Sequence, residues 1–197
     1  MTSPIVVVGL GNPGGAYART RHNAGFDVLD IVSQRWGWKI KKSARRSLLA
    51  EGRIADEDGS RQPVVLALPQ TFMNESGEAV AALARWYKPQ PAHLLVVYDD
   101  IDLPVGAVRV RAGGGTGTHN GMRSIQERWG HADFPRVRVG IGAPPPGWDL
   151  KDWVLSKRPD AELEIAFDAM CRAADAVAMF AKTRDIEKVM RIYNARA

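Results

Sequence analysis

A run of branched apolar residues near the start of the chain constrains the fold more than any other feature. Ile5-Val6-Val7-Val8 ends directly at a glycine, and a run without polar alternation is typical of a strand buried on both faces of a parallel sheet. Residues 93–98 contain a second apolar run. Because such strands need helices on both faces of the sheet, the two runs indicate an α/β protein.

Apolar residues at helical spacing alternate with strand-like segments along the chain. Further strand-like patterns occupy residues 47–54, 63–68, 105–110 and 134–141. Helical patterns occupy residues 25–36, 74–88, 122–129, 159–177 and 185–193. The alternation predicts a three-layer α/β sandwich with a mostly parallel, mixed central sheet flanked by helices. The chain has no internal repeat and no domain-sized linker, so we expect a single domain over residues 1–197.

Two local patterns lead to more specific expectations. Asn74 precedes the second helical pattern and is predicted to cap that helix. The long helical pattern near the C-terminus carries a stripe of apolar residues that is predicted to face the core. The residues of this stripe are Leu163, Phe167, Met170, Ala174 and Val177.

The balance of charges favours a polyanionic partner. The 27 Lys and Arg residues exceed the 22 Asp and Glu residues, which gives a formal net charge of +5. Nucleic acid is favoured over an acidic membrane surface, and the alternative is a solvated basic surface without a partner.

Composition excludes several classes of protein. Cys171 is the single cysteine of the chain, which excludes a disulfide scaffold and a multi-cysteine metal site. No stretch approaches the ~20 apolar residues that are needed to span a bilayer, and no basic segment precedes the first apolar run. We therefore expect a cytoplasmic protein without a membrane partner.

The loop after the first strand matches the glycine spacing of a dinucleotide-binding fingerprint, but not its structural context. Gly9-Leu10-Gly11-Asn12-Pro13-Gly14 reads as G-x-G-x-x-G, but that fingerprint opens a helix at once. Here the helical pattern starts about ten residues later, and Asp30, at the offset of the ribose-binding acid, falls within it. A dinucleotide-binding enzyme stays an alternative. The loop also places Asn12 at the carboxyl end of a strand, where open α/β sheets build their sites.

Titratable residues follow both apolar strands. His22 lies in the irregular segment after the first strand and is suited to proton transfer near neutral pH, although a lone histidine is often structural. Asp99, Asp100 and Asp102 close the second strand. Three interpretations stay open for these acids: a Mg²⁺ site, a phosphatase-like D-x-D nucleophile, or an acid that orients a histidine.

Glycines and arginines mark two further segments. Residues 113–121 contain five glycines, a composition that suits close approach to a ligand or a moving loop. Arg109 and Arg111, and likewise Arg136 and Arg138, are two residues apart on predicted strands. Period-two geometry puts each pair on one face, so four guanidinium groups could meet phosphate oxygens. A basic cluster at residues 39–46 adds positive charge.

Five of these motifs, in this order, resemble the bacterial peptidyl-tRNA hydrolase family. They span the chain from residue 5 to beyond residue 140, and the C-terminal third carries less of the signature. The matching segments are Gly9-Leu10-Gly11-Asn12-Pro13-Gly14 with Tyr17, Thr20-Arg21-His22-Asn23-Ala24-Gly25, Thr71-Phe72-Met73-Asn74-Glu75-Ser76-Gly77, Asp99-Asp100-Ile101-Asp102-Leu103-Pro104 and residues 113–121.

The resemblance implies hydrolysis of the ester that joins a peptide to the 3′ ribose of tRNA, by a monomer without metal or cofactor. It implies that His22 is the general base, that Asp99 stabilises its protonated form, and that Asn12 helps to distinguish peptidyl-tRNA from aminoacyl-tRNA. The remaining residues that it assigns to contacts with tRNA or peptide are Tyr17, Phe72, Asn74, Asn120, Arg111 and Arg138.

The chemistry of an ester fits these residues. An activated water suffices to cleave an ester, and an asparagine amide can stabilise the oxyanion, for which Asn74 is the candidate. Cys171 is far from the motifs, which argues against a thiol mechanism. The chain departs from the family pattern at Thr116, Thr118 and Asp100, none of them a catalytic position. A non-catalytic RNA-binding relative and a metal phosphatase stay alternatives.

Overall fold

Seven strands form one sheet through the middle of the molecule. The computed structural model describes residues 3–195. Its strands are β1 (Ile5–Gly9), β2 (Lys42–Ala44), β3 (Ser47–Ala55), β4 (Arg61–Pro69), β5 (Leu94–Asp100), β6 (Val108–Arg111) and β7 (Arg136–Gly140). Their order across the sheet is β2-β3-β4-β1-β5-β7-β6.

The four central strands are parallel and the outer strands are antiparallel. β1 pairs in parallel with both β4 and β5, and β5 pairs in parallel with β7. β2, β3 and β4 form two consecutive hairpins at one side, and β6 runs antiparallel to β7 at the other. The predicted mixed sheet with a parallel centre is therefore confirmed.

Helices cover both faces of this sheet. They are α1 (Ala24–Arg35), α2 (Ser76–Tyr87), α3 (Asn120–Trp129), α4 (Leu150–Leu155), α5 (Asp160–Thr183) and α6 (Ile186–Asn194). α1, α5 and α6 pack on one face together with Ile5 and Val7, whereas α2 and α3 pack on the other together with Val6 and Val8. Burial on both faces explains why β1 shows no polar alternation, and the three-layer prediction is confirmed.

Two local expectations prove wrong. α2 begins at Ser76 with Glu75 as its N-cap, so Asn74 lies in a short 3-10 turn instead of capping the helix. Leu163 and Phe167 are 50% and 54% exposed. The other residues of the stripe, Met170, Ala174 and Val177, are buried as predicted, and the buried face of α5 begins only at Ala166. The first turn of α5 therefore lies beyond the core.

The parallel strands place their carboxyl ends along one edge of the sheet. The segments that follow β1, β4, β5 and β7 all leave from this edge, which is where open α/β sheets bind their ligands. None of the helices within residues 3–195 is long and apolar enough to cross a membrane.

Candidate active site

A cleft of about 1060 Å³ opens at the carboxyl edge of the parallel strands. Its walls come from the segments after β1, β4, β5 and β6, and from the α4 segment after β7. All nine site residues that the sequence pointed to line it: Asn12, Tyr17, His22, Phe72, Asn74, Asp99, Arg111, Asn120 and Arg138.

The centre of the cleft is a buried histidine–aspartate pair. His22 lies in a 3-10 turn between β1 and α1, and Asp99 is the penultimate residue of β5. The Nδ1 atom of His22 is 2.9 Å from Oδ1 and 3.0 Å from Oδ2 of Asp99, and Asp99 is only 1% exposed. Because an ionised carboxylate can only accept hydrogen bonds, Nδ1 carries the proton and Nε2 of His22 holds the lone pair.

A second histidine binds the same carboxylate. His119 is the N-cap of α3, and its Nδ1 accepts the backbone N–H of Met122. Its Nε2 therefore carries the proton and donates to Oδ1 of Asp99 at 3.0 Å. His119 was not predicted to be a site residue. Its position within the glycine-rich segment, directly ahead of α3, is the signal that could have revealed it.

The two histidines decide the charge of Asp99. Burial by itself raises the pKa of this carboxyl group, but attraction to His22 and His119, together with their hydrogen bonds, lowers the pKa far below its ordinary value. Asp99 is therefore a fixed negative charge in the floor of the cleft. Such a charge orients the neighbouring imidazole of His22 through the Nδ1–H bond.

Asn12 is held in one orientation beside this pair. Its backbone N–H donates to Oδ1 of Asn23, and its backbone carbonyl accepts from Nδ2 of Asn23. Its side-chain oxygen accepts the backbone N–H of Met73 at 2.8 Å. The other side-chain atom, Nδ2, is thereby left as a donor in the cleft that Asn12 lines.

Aromatic rings and exposed amides form the rim of the cleft. The rings of Tyr17 and Phe72 pack edge to face with their centroids 6.2 Å apart, and Phe72 is 53% exposed. Asn74 and Asn120 are both exposed on the cleft wall. The rim thus offers stacking surfaces and amide donors to a ligand that is partly apolar and partly polar.

The four arginines of β6 and β7 share one face but not one role. Arg109 faces Arg138 across the strand pair, and Arg111 faces Arg136. Arg109 donates to the carbonyl of Asn194, and Arg136 is only 2% exposed. Arg136 holds the carbonyls of Gly115 and two other residues, so it tethers the glycine-rich segment. The predicted shared face is confirmed, but phosphate binding by Arg136 is wrong because that side chain is buried, and for Arg109 it stays a prediction.

Arg111 and Arg138 remain at the cleft. Arg111 is exposed, and Arg138 is half-buried with its Nε 2.5 Å from Oδ2 of Asp100. Asp100 also accepts the backbone N–H of Asp102. The carboxylates of Asp99 and Asp100 therefore bind different partners, whereas a Mg²⁺ site would require the carboxylate oxygens to converge on one point.

The one group of three metal-capable side chains found within residues 3–195 is His22, Asp99 and His119. Two imidazole nitrogens and a carboxylate oxygen would suit Zn²⁺ better than Mg²⁺. In the present arrangement, the hydrogen bonds to Asp99 place protons on the two nitrogens that face it. Metal binding there would displace both protons.

The geometry of the first loop removes the basis for the dinucleotide alternative. α1 begins at Ala24, ten residues after the last glycine of the fingerprint. A Cβ on Gly9 would lie 2.3 Å from the carbonyl oxygen of Gly25, so Gly9 lets β1 and α1 pack closely. Asp30 is an exposed residue on α1 and not the end of a strand.

Arg21 attaches the α4 wall of the cleft to the turn that carries His22. It is 2% exposed, and its guanidinium lies 3.8 Å over the ring of Trp153. It also donates to Oγ of Ser156 and pairs with Glu162 at 2.5 Å. The residue before the histidine thus binds both the end of α4 and the start of α5.

The fold and the cleft together define an α/β enzyme with a buried histidine–aspartate pair at the carboxyl edge of its parallel strands. Comparison with known proteins then identifies the family. The family model of peptidyl-tRNA hydrolase matches residues 6–197, and the chain belongs to this family. The resemblance inferred from the five motifs is confirmed.

Relatives and solved structures agree with this assignment. The chain is 52% identical over 174 residues to the peptidyl-tRNA hydrolase of Roseiflexus sp. (strain RS-1), which covers 87% of this chain and 77% of the relative. It is 49% identical over 191 residues to that of Chloroflexus aurantiacus, covering 96% and 98%. The crystal structure of peptidyl-tRNA hydrolase from Acinetobacter baumannii has a TM-score of 0.88 at 34% identity, covering 99% of this chain and 96% of that chain.

Proposed function

We propose that this protein hydrolyses the ester between the peptide and the 3′ ribose of tRNA, with a water molecule activated by His22. The observation that carries this mechanism is the buried pair: Asp99 binds Nδ1 of His22 at 2.9 Å, so Nε2 is available as a base in the cleft. Histidine can accept and return a proton near neutral pH, a contribution of typically about 10²–10⁴-fold.

The proposed reaction balances with water alone. Nε2 of His22 takes one proton from water while the oxygen attacks the ester carbonyl carbon. The tetrahedral intermediate collapses by breaking the bond to the ribose 3′ oxygen, and that oxygen takes the proton back from the imidazolium. Asp99 holds the ring and stabilises its charged form between the two transfers. No covalent enzyme intermediate is needed, and Cys171 lies on α5 away from the cleft lining.

Two asparagines supply the neutral donors that the reaction needs. Nδ2 of Asn12 is fixed by the bond from Met73 to its side-chain oxygen, and we assign it to a carbonyl of the peptide. This contact favours a substrate that carries a peptide over an aminoacyl group. Asn74, exposed on the cleft wall, is assigned to the developing oxyanion.

The rim residues hold the two parts of the substrate. Tyr17 and Phe72 present apolar rings to the peptide or the terminal base, and Asn120 offers an amide at the start of α3. Arg111 and Arg138 would bind phosphate oxygens independently of sequence. We further propose that the chain acts as a monomeric single domain in the cytoplasm, without a metal or cofactor.

The decisive experiment separates chemistry from binding. Purified wild-type protein and His22→Ala are assayed for cleavage of peptidyl-tRNA and, by filter binding, for affinity to uncharged tRNA. We expect His22→Ala to lose most of its activity and to keep its tRNA affinity, because the ring transfers protons and does not fill the core. The matched control is His131→Ala, since His131 is exposed beside Trp129.

Two outcomes would contradict the proposal. Near-wild-type turnover by His22→Ala would remove the histidine from the mechanism. Tight tRNA binding by a wild-type protein that cleaves no peptidyl-tRNA would favour the non-catalytic RNA-binding alternative.

A further inference from the structure

The β2–β3 hairpin has an unexpected two-residue turn. Ala44 and Ser47 form its closing pair, which leaves Arg45 and Arg46 as the two central residues. Their φ angles are +54° and +57°. Two positive φ angles are the mark of the type I′ turn, for which Asn-Gly is the preferred sequence because most L-residues adopt these angles only at a cost. Two consecutive arginines are therefore a poor choice for the turn itself.

The side chain of Arg45 lies on an exposed aromatic ring. Its guanidinium carbon is 3.6 Å from the ring centroid of Trp86, near the end of α2. Trp86 is 61% exposed. Nε of Arg45 is buried without a hydrogen-bond partner within the described residues. The pair thus presents a planar cation on a solvent-facing aromatic platform.

Arg46 adds a second cation that is only partly neutralised. Its Nη1 is 2.7 Å from Oε2 of Glu78, and Nη2 of Arg128 is 4.0 Å from the other oxygen of the same carboxylate. Both arginine side chains are more than half exposed. One carboxylate is therefore shared between two guanidinium groups, which leaves positive charge at this surface. We call Arg45, Arg46 and Trp86 the turn platform.

The Arg45–Arg46 turn of this platform lies at the same edge of the sheet as the cleft. Ser47 pairs with Pro69, the last residue of β4, and the chain then continues to Phe72 and Asn74 in the cleft. In the strand order, β3 lies on one side of β1, and β7 with β6 lies on the other. The turn platform and the Arg111–Arg138 pair therefore flank the catalytic residues from opposite sides.

We propose that the turn platform is a second RNA-binding surface, which holds the tRNA body on the side of the cleft opposite to Arg111 and Arg138. This rests on the proposed function, because the RNA is that of the tRNA substrate. Guanidinium groups bind phosphate oxygens in a forked geometry, and exposed aromatic rings stack on unpaired bases. This role would account for two arginines that disfavour the turn they form.

The test replaces the turn by the sequence that its backbone prefers. The double variant Arg45→Asn, Arg46→Gly removes both cations and fits a type I′ turn. We expect an equal or higher melting temperature than wild type and a KM for full-length peptidyl-tRNA that rises roughly 3- to 10-fold. The dependence of log Kd for tRNA on log salt should flatten by about 0.7–0.9 for each phosphate group that the variant no longer binds. Cleavage of a short peptidyl-nucleotide ester, measured alongside, should stay at the wild-type rate.

The control removes the same charge elsewhere. Arg53 and Arg61 are exposed at the far end of β3 and β4, where each bonds a backbone carbonyl of the other. The variant Arg53→Gln, Arg61→Gln should leave KM and the salt slope unchanged. Equal effects from both double variants would overturn the turn platform, because general positive charge would then be sufficient.

Three other results would also decide between the explanations. An unchanged KM and salt slope in the Asn-Gly variant would overturn the turn platform while cleavage of the short ester keeps the proposed function intact. Failure of wild type to cleave the short ester would contradict the proposed function instead. If the Asn-Gly variant melts lower than wild type, the single variant Arg46→Gln is measured instead, because it leaves Arg45 on Trp86. It should flatten the salt slope by the amount expected for about one phosphate group. An unchanged slope in that single variant would overturn the proposal.

Discussion

Replacing Asp99 by asparagine alters a single atom and should disable the base. Both carboxylate oxygens lie within 3.0 Å of Nδ1 of His22, and Oδ1 also accepts from Nε2 of His119. The bond from Met122 fixes the proton of His119 on Nε2. An asparagine must therefore keep its oxygen at the position of Oδ1, shared by His119 and His22, and its NH₂ group then replaces the Oδ2 acceptor that lies 3.0 Å from Nδ1 of His22.

The size of the effect follows from removal of the negative charge. Hydrogen bonds to charged groups contribute about 1.5–3 kcal/mol and neutral ones about 0.5–1.5 kcal/mol. Asp99 is 1% exposed, so water cannot replace the missing anion when His22 becomes protonated. A unit charge about 4 Å away contributes roughly 4 kcal/mol at an effective dielectric constant of 20. Together these terms indicate a loss of about 2–4 kcal/mol, or roughly 30- to 10³-fold in kcat.

The assay is steady-state cleavage of a short peptidyl-nucleotide ester. We expect the whole loss to appear in kcat, with KM nearly unchanged, because Asp99 stabilises charge that forms only during the reaction. The loss should be smaller than that of His22→Ala. The control is Asp102→Asn, which removes an acid from the same segment and should change kcat by less than about threefold. A kcat for Asp99→Asn within threefold of wild type would refute the role of the pair.

Four further predictions concern metal dependence, phosphate binding, acid stability and the attachment of α4. Excess EDTA should leave cleavage of the short ester unchanged, and loss of activity that Mg²⁺ restores would instead support a metal-dependent reaction. Arg111→Ala or Arg138→Ala should raise KM for full-length peptidyl-tRNA and leave kcat and short-ester cleavage nearly unchanged; equal losses on both substrates would contradict phosphate binding. Because the pKa of Asp99 is lower in the folded protein than in the unfolded chain, its ionisation stabilises the fold above about pH 4, and this contribution is lost as pH falls further. Urea unfolding between pH 2 and 6 should therefore show a weaker acid dependence for Asp99→Asn than for wild type. Arg21→Met should lower the free energy of unfolding in urea by about 2–4 kcal/mol, because it removes a buried ion pair and the stacking on Trp153. A change below about 0.5 kcal/mol would show that Arg21 does not hold α4.

The parts of the fold that could be predicted from sequence are those that local patterning determines. β1 and β5 are apolar on both faces, so their burial could be inferred without any partner strand. β2 could not, because Lys42, Ser43 and Ala44 carry no strand pattern and pair only through the hairpin with β3. The exposed start of α5 could not be predicted, because the apolar stripe continues through Leu163 although the buried face of the helix begins only at Ala166.

The candidate site divides in the same way. Residues next to a strand end, such as Asn12, His22 and Asp99, could be located because parallel strands gather their ends at one edge. The position of His119 ahead of α3 could have marked it as a candidate, but its contact with Asp99 could not be predicted, because the two residues are twenty positions apart with β6 between them. Arg136 was misassigned because burial and three carbonyl contacts, rather than strand periodicity, determine its role.

The shared carboxylate also determines where charge moves during the proposed reaction. Before proton transfer in the proposed reaction, the floor of the cleft holds one carboxylate, Asp99, between two imidazole rings. When His22 accepts the proton from water, the charge of Asp99 is balanced by the imidazolium, and the new negative charge develops on the ester carbonyl oxygen in the open cleft. Net negative charge thereby moves from the protein interior toward solvent and toward the amide donors of the cleft. Without its histidines, the buried carboxyl group would favour its protonated form, so the second imidazole helps to keep Asp99 ionised in the resting state as well as during the reaction.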